Sequence, residues 1–344
     1  MMNKFLILIF CLFSLSIYAQ TKKVDFVKSK TENKVDVLIG DTFFTSLLFP
    51  VALEKPVLYP LIAANGLTVT RGFPLSSRDG ERIDHPHHVG YWLNYESVNG
   101  LDFWNNSYNI PAEKKVNYGW IRNVKVDQIS AGKKAGKLSY SANWESQSKN
   151  ILLKEQTTFL FSGTDSTRTI DRITTLTAQN EPVLFKDVKD GMVGLRVTKE
   201  LEFPSDKTEE FTDSKGNVTR VSAASNGANG SYTSSAGKTG NDVWGTRGNW
   251  CLLWGTKDGK PISVAMIDHP KNPGYPTYWH ARDYGLFAAN PLGQQVFSNG
   301  KEKLNLSLKP GESVTFRYRL IITSDVKMNT DVLNQQALDF STTK

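Results

Sequence analysis

The stretch LKPGESVTFRYRL, Leu308 to Leu320, decides the fold class. Lys309-Pro310-Gly311-Glu312 has the composition of a tight turn, because Pro presets one φ and Gly accepts a positive one. Beyond it Val314, Phe316, Tyr318, Leu320 and Ile322 alternate with Thr315, Arg317 and Arg319. That period of two gives a strand with one buried face and one wet face. Shorter stretches rich in β-branched and aromatic residues repeat the signal at Val35 to Leu38, Phe43 to Phe49, Leu67 to Arg71, Leu138 to Trp144, Glu155 to Phe161, Ser166 to Leu176, Leu252 to Gly255 and Ser263 to Ile267. Helical periodicity is confined to one stripe, Val332, Leu333, Ala337 and Leu338, which predicts a short C-terminal helix over Thr330 to Phe340. The expected fold is all-β: a large antiparallel β-sandwich, built as two large sheets or two fused sandwiches.

Residues 1–20 read as an export signal: Lys4 opens it, Phe5 to Leu15 is apolar, and small residues lead to a cleavage point near Ala19. The apolar run is shorter than the roughly 20 residues a bilayer span requires. A soluble periplasmic or secreted protein is expected, with residues 21–344 forming a single β-sandwich domain. Ser222 to Gly240 is crowded with Gly, Ser, Asn and Ala, and predicts a flexible loop near 205–242, read as a lid running into Trp244. Without the leader one cysteine remains, Cys251 between Trp250 and Leu252, so stability cannot rest on disulfides and burial is expected for this thiol. The net charge of +7 is thinly spread, with no basic helix or aromatic-interleaved basic stripe. Nucleic acid is therefore not an expected partner.

All five histidines lie in two segments, DHPHHVGYW (Asp84 to Trp92) and DHPKNPGYPTYWHARDYG (Asp268 to Gly285). Imidazole titrates nearest neutrality, so this segregation suggests one site assembled from both segments. Without a metal, a histidine serves as general acid or base when a carboxylate fixes its tautomer. His88 and His280 are the expected acid/base pair, oriented by Asp84 and Asp283. Tyr91, Trp92, Phe103 and Trp104 follow the first segment, while Tyr275, Tyr278, Trp279, Tyr284 and Phe287 surround the second. Aromatic faces beside Asp and Arg suit a sugar ring, whose C–H bonds stack while its hydroxyls take hydrogen bonds. The expected pocket lining is His85, His87, Asp102, Trp104, Lys186, Asp190, Trp244, Arg247, His269, Trp279, Arg282 and Tyr284. No cofactor is expected, although His85-x-His87 plus a distant histidine could supply three nitrogen ligands to a metal. No phosphate-cradling loop, Gly-x-Ser-x-Gly elbow or dinucleotide fingerprint is present in the sequence.

The strings TRGFP (Thr70 to Pro74), DHPHHVGYW, VNGLDFW (Val98 to Trp104), KDVKDGMVGLRV (Lys186 to Val197), VWGTRGNW (Val243 to Trp250), DHPKNPGYPTYWHARDYGLFAANPLG (Asp268 to Gly293) and LKPGESVTFRYRL resemble the PmoA-like family of exported bacterial proteins. The family's usual DHPHHRG has Arg where this chain has Val89, and its usual KEG has Glu where this chain has Asp190. The methane oxygenase label attached to that family does not transfer, since a membrane oxygenase subunit needs several spans. What the resemblance implies is an exported protein associated with carbohydrate use. The Pro-Gly-Glu turn before the alternating strand is also similar to the galactose mutarotase-like supersandwich. An enzyme acting on a sugar or modified glycoside, with a small-molecule or oligosaccharide substrate, is the leading expectation. A non-catalytic glycan-binding protein and a histidine-cluster metalloenzyme are the alternatives.

Overall fold

The computed structural model describes residues 20–204, 208–212, 218–221 and 227–343. Its strands in chain order begin β1 (Val24–Lys28), β2 (Lys34–Ile39), β3 (Thr42–Leu48), β4 (Val57–Leu58), β5 (Glu81–Arg82), β6 (Tyr91–Tyr95), β7 (Gly119–Ser130), β8 (Gly136–Ser146), β9 (Ile151–Gly163) and β10 (Thr167–Ala178). They continue as β11 (Val183–Leu184), β12 (Gly191–Arg196), β13 (Glu209–Thr212), β14 (Val218–Val221), β15 (Ser231–Ser234), β16 (Trp250–Lys257), β17 (Lys260–Asp268), β18 (Tyr278–Ala281), β19 (Leu286–Asn290), β20 (Ser307–Leu308) and β21 (Ser313–Ser324). Two antiparallel sheets of eight strands carry the fold, ordered β1-β2-β3-β4-β6-β12-β19-β18 and β15-β16-β17-β21-β10-β9-β8-β7. The all-β sandwich is thus the observed architecture.

β21, the strand read first, sits inside the second sheet between β17 and β10. Its Phe316, Tyr318, Leu320 and Ile322 are fully buried in the core between the sheets. Each such side chain contributes about 1.5–3 kcal/mol relative to exposure. The opposite face of β21 carries Arg319, which grips Asp171 of β10 with two hydrogen bonds of 2.6 and 2.8 Å. The C-terminal helix, α1 (Thr330–Ser341), lies over this face and buries Leu333, Ala337 and Phe340 against Trp250, Leu252, Ala265, Ile267 and Ile321. Asn329 caps it by accepting the Val332 N–H at 2.9 Å.

Two expectations are corrected. Leu67 to Arg71 forms no continuous strand; Thr68 and Thr70 make isolated bridges, and the neighbouring backbone bonds are divided between Leu61 and Arg196. Within the segment expected as a flexible loop near 205–242, Ser231–Ser234 is a strand paired with β16, and β13 pairs with β14 and β5. Tyr232 explains the strand Ser231–Ser234: it alternates with small polar neighbours and its ring is buried against Phe203 and Phe287. Composition alone hid that anchor. Residues 205–207, 213–217 and 222–226 lie outside the described residues, as do residues 1–19 of the segment 1–20 expected as an export signal. Among the described residues no helix is long and apolar enough to cross a membrane.

Candidate functional site

The floor of the site is a row across the first sheet. Trp92 on β6 pairs with Gly194 on β12, Gly194 with Ala288 on β19, and Ala288 with His280 on β18. Paired positions project to one face, so two residues with almost no side chain separate a tryptophan from a histidine. A Cβ on Gly194 would stand 2.6 Å from the Trp92 ring and 3.0 Å from that of Trp104. Glycine there lets the tryptophans lean over the strand, with their rings 5.2 Å apart.

Above this floor lies the Asp84 to His88 turn, closed by the His88 N–H donating to the His85 carbonyl at 3.0 Å. His85 adopts a left-handed backbone, φ 45°, which a non-glycine residue holds only when its surroundings fix it. Arg71 fixes it. One guanidinium nitrogen donates to the carbonyl and carboxylate of Asp84, both at 2.7 Å, and the other to the carbonyls of His85 at 2.9 Å and His88 at 3.3 Å. Arg196, fully buried at the end of β12, donates to the same Asp84 oxygen at 2.8 Å.

These contacts define the protonation state of each imidazole. Burial would raise the Asp84 pKa, but Arg196, the His85 hydrogen bond, Arg71 and Arg82 together hold it well below the usual carboxylate range. Its second oxygen lies 2.9 Å from His85 Nδ1. An ionised carboxylate only accepts, so Nδ1 carries the proton and Nε2 of His85 is the free base end. The His85 ring runs parallel to those of Tyr284 (centroids 4.9 Å apart) and His88 (4.8 Å), which lie 6.3 Å from each other, and 38% of its side chain is exposed. His88 is the opposite case. Its Nδ1 faces an Arg196 N–H at 3.2 Å and must accept, which puts the proton on Nε2. Burial, then the charges of His87 and Arg196, lower its pKa well below the ordinary value. His88, expected as one of the acid/base pair, is a buried neutral donor.

His280 is equally buried, and burial followed by Lys189 and Arg282 pushes its pKa down to about 3. Its Nδ1 has no hydrogen-bond partner and points toward Asp190, 3.5 Å away. Asp190, at the entry to β12, is raised by burial against the opposing pull of Lys189, His85 and Arg282. One carboxyl is thus held low beside His85 while another is raised beside His280, a separation of the kind acid/base work uses. The orienting role expected of Asp283 is not observed: that residue is exposed and accepts its neighbour Tyr284 N–H at 2.9 Å. Asp190 occupies the place expected for it.

The remaining expected residues divide. Tyr284 lies on the His85 stack, Arg282 bridges Tyr284 and Trp244 at 5.6 and 5.5 Å, and Trp104 packs against His88 at 5.8 Å. Trp244, 40% exposed, lines a hollow of about 220 Å³ with Asn241, Ala281, Arg282 and Asp283. Asp102 accepts two bonds from Asn105, and burial raises its pKa. Four residues are not where the sequence reading set them. His269 is buried beneath α1, edge-on to Phe340 at 5.0 Å. Trp279 alternates with His280 along β18 and so enters the core instead of the pocket. Arg247 ties the carbonyls of Gly274 and Pro276 and pairs with Glu302. Lys186 is exposed, and its carbonyl accepts the Tyr95 hydroxyl. The two Asp-His-Pro motifs therefore differ in role, since Asp268 braces its own loop by accepting from Asn272 and the Thr277 N–H at 2.7 and 2.8 Å. Among the described residues no three His, Cys, Asp or Glu side chains converge as metal ligands; His85 and His88 meet face to face instead.

Arg71, Arg196 and Lys55 were missed by the sequence reading. Their signal was a cation inside an otherwise apolar run, as in GMVGLR, which predicts a buried ion pair. Lys55 is 4% exposed, donates to the His87 carbonyl at 2.7 Å and stands over Trp92. His87 is half-buried, and its pKa is lowered by burial and then by Lys55.

The buried histidines predict a pH effect. An unfolded histidine has a pKa near 6.5, whereas folded His280 is neutral down to about 3. The unfolded chain binds more protons between these values, so this contribution to stability is complete above about pH 6.5 and is lost as pH falls toward 3. Asp268, pushed up to about 7 by burial, acts in the opposite sense over its own range. Urea unfolding of His280→Gln should therefore show a shallower loss of stability below about pH 6 than the wild type, by up to roughly 1.4 kcal/mol per pH unit. Equal slopes for the two proteins would contradict the neutral assignment.

A family model matches residues 34–337 and is described as a family of unknown function, DUF6807. The chain belongs to the DUF6807 family. No curated protein sequence matches it. Among solved structures it is similar to a GH36 α-galactosidase from Geobacillus stearothermophilus, at 9% identity and a TM-score of 0.37 over 87% of this chain and 41% of that one. It is likewise similar to a galactose 1-epimerase from Lactobacillus acidophilus, at 8% identity and a TM-score of 0.37 over 90% of this chain and 100% of that one. A third is a glycoside hydrolase family 97 enzyme from a Pseudoalteromonas strain, at 7% identity and a TM-score of 0.32 over 87% and 34% of the two chains. The DUF6807 chain thus spans well under half of the α-galactosidase it resembles.

Proposed function

We propose that this protein is an exported enzyme that acts on a sugar or modified glycoside by moving protons between a histidine base and a carboxylic acid. The observation that carries this reading is the Asp84–His85 pair, 2.9 Å apart, on the same side of the sheet as Asp190, whose carboxyl is raised by burial, and His280, which burial keeps neutral. Nε2 of His85 takes a proton from a substrate hydroxyl or carbon, and the positive charge that forms on the ring is balanced by ionised Asp84. Protonated Asp190 delivers a proton to the oxygen on which negative charge develops. Mutarotation, elimination and hydrolysis share this step. Tyr284 and Trp244 supply faces for sugar rings, and Arg282 lies between them to donate to hydroxyls. The resemblance to the PmoA-like proteins and the leader with Lys4 and Phe5 to Leu15 support export to the periplasm or beyond.

Incubating the purified protein with mono- and disaccharides and with glycosides, followed by NMR of the anomeric region, is expected to reveal a change that is absent with His85→Asn. Binding without any product over long incubation would replace the enzyme with a glycan-binding protein.

A further inference from the structure

The floor row continues past Trp92. Leu58 pairs with Tyr91, which sets Val57 of β4 beside Trp92 on the same face. From Val57 to His280 is four strand spacings, about 19 Å at ~4.8 Å each, longer than one sugar ring occupies. At the Val57 end lies a second, partly open cavity of about 290 Å³, lined mainly by Leu53, Val57, Leu75, Val89, Tyr108 and His87, with Glu54 and Lys55 also on its wall. Its character differs from that of the Trp244 hollow: aliphatic side chains dominate, and the rim exposes Leu75 (38%) and Tyr108 (58%). His87 borders the cavity and adjoins the acid/base site, its ring 4.3 Å from that of His88 and 5.6 Å from that of His85.

We infer that this cavity is the leaving-group subsite of the sugar-acting site, and that it takes an aromatic aglycone of about two fused rings, so that the substrates are aryl glycosides. The inference rests on the sugar-acting reading above. Volume sets the size, because a cavity of about 150 Å³ lined by apolar side chains accommodates benzene. Lining sets the chemistry: a second sugar would strand its hydroxyls against Leu53, Val57 and Val89, whereas a flat apolar ring buries its faces there. One polar anchor is present at the junction. Lys55 spends one ammonium hydrogen on the His87 carbonyl, and another can go to a phenolic oxygen where it joins the sugar.

The test uses 2-naphthol, methyl glycosides and 2-naphthyl glycosides with the mature protein. Naphthol fluorescence is expected to saturate with the wild type and with His85→Asn alike. Filling the rim with Leu75→Trp, or from the other side with Ala52→Trp, should weaken naphthol and naphthyl glycoside binding at least tenfold while leaving methyl glycosides unchanged. Equal affinity of the wild type for methyl and naphthyl glycosides, or naphthol binding untouched in both filled variants, would overturn the subsite. Naphthol binding blocked by the tryptophans with no glycoside bound or turned over would instead sink the sugar reading, and the subsite assignment with it.

Discussion

Turnover of the sugar found by the screen is expected to fall about 10²–10⁴-fold in His85→Asn, the range a positioned general base contributes, with stability changed by less than about 1 kcal/mol. Asparagine is chosen because it tolerates the left-handed backbone that His85 adopts at φ 45°. The side chain is 38% exposed, and although its ring packs against buried His88 it also packs against Tyr284, which is itself partly open, so its removal opens no closed cavity. Asp84→Asn should give a different pattern. An amide at position 84 can present its N–H to His85 Nδ1, which forces the ring proton to Nε2 and removes the base. It also strips the ionised partner from Arg71 and Arg196, so activity and stability fall together. Steady-state kinetics and urea unfolding on both variants separate the roles. Full activity in His85→Asn would remove the base from the scheme.

The part of the fold that could be read from sequence is the part with one wet face. β21 announces itself because Thr315, Arg317 and Arg319 interrupt its apolar residues at every second place. The site strands do not. Tyr91–Tyr95, Gly191–Arg196, Tyr278–Ala281 and Leu286–Asn290 are buried at every position, so no alternation survives and their sequences read as turn-rich or featureless stretches. These four strands adjoin one another in the first sheet, and they bring the two histidine segments together. Of the segregated histidines, His269 lies apart beneath α1, and the partners of His88 and His280 are long-range ones. Arg196 lies 108 positions from His88 and Asp190 lies 90 from His280 in the chain, and no local pattern encodes such pairings. Asp283 was favoured for His280 because it is near in sequence, yet the turn at Arg282 to Gly285 directs it to solvent.

The largest stability effect is expected at Arg196. Its guanidinium is wholly buried and meets Asp84 at 2.8 Å, Glu202 at 3.6 Å and His88 Nδ1 at 3.2 Å. Taking such a group out of water is costly, and the cost is offset only while its partners are all in place. Arg196→Met keeps much of the volume but leaves Glu202 and Asp84 facing an apolar chain, which should cost about 3–5 kcal/mol in urea unfolding with an unchanged m-value. Arg196→Lys restores charge without the planar fork and should recover part of that loss. An exposed pair supplies the contrast: Arg220 bonds Glu210 at 2.8 Å with both side chains at least half exposed, and Arg220→Ala is expected to cost under about 1 kcal/mol. The Arg196 effect should also reach His88, whose Nδ1 loses its donor and with it the reason for a single tautomer, so the ¹⁵N shifts of that ring should move toward a tautomer mixture. Unfolding of Arg196→Met at the wild-type urea concentration would mean that the buried network does not hold the Asp84 to His88 turn in place.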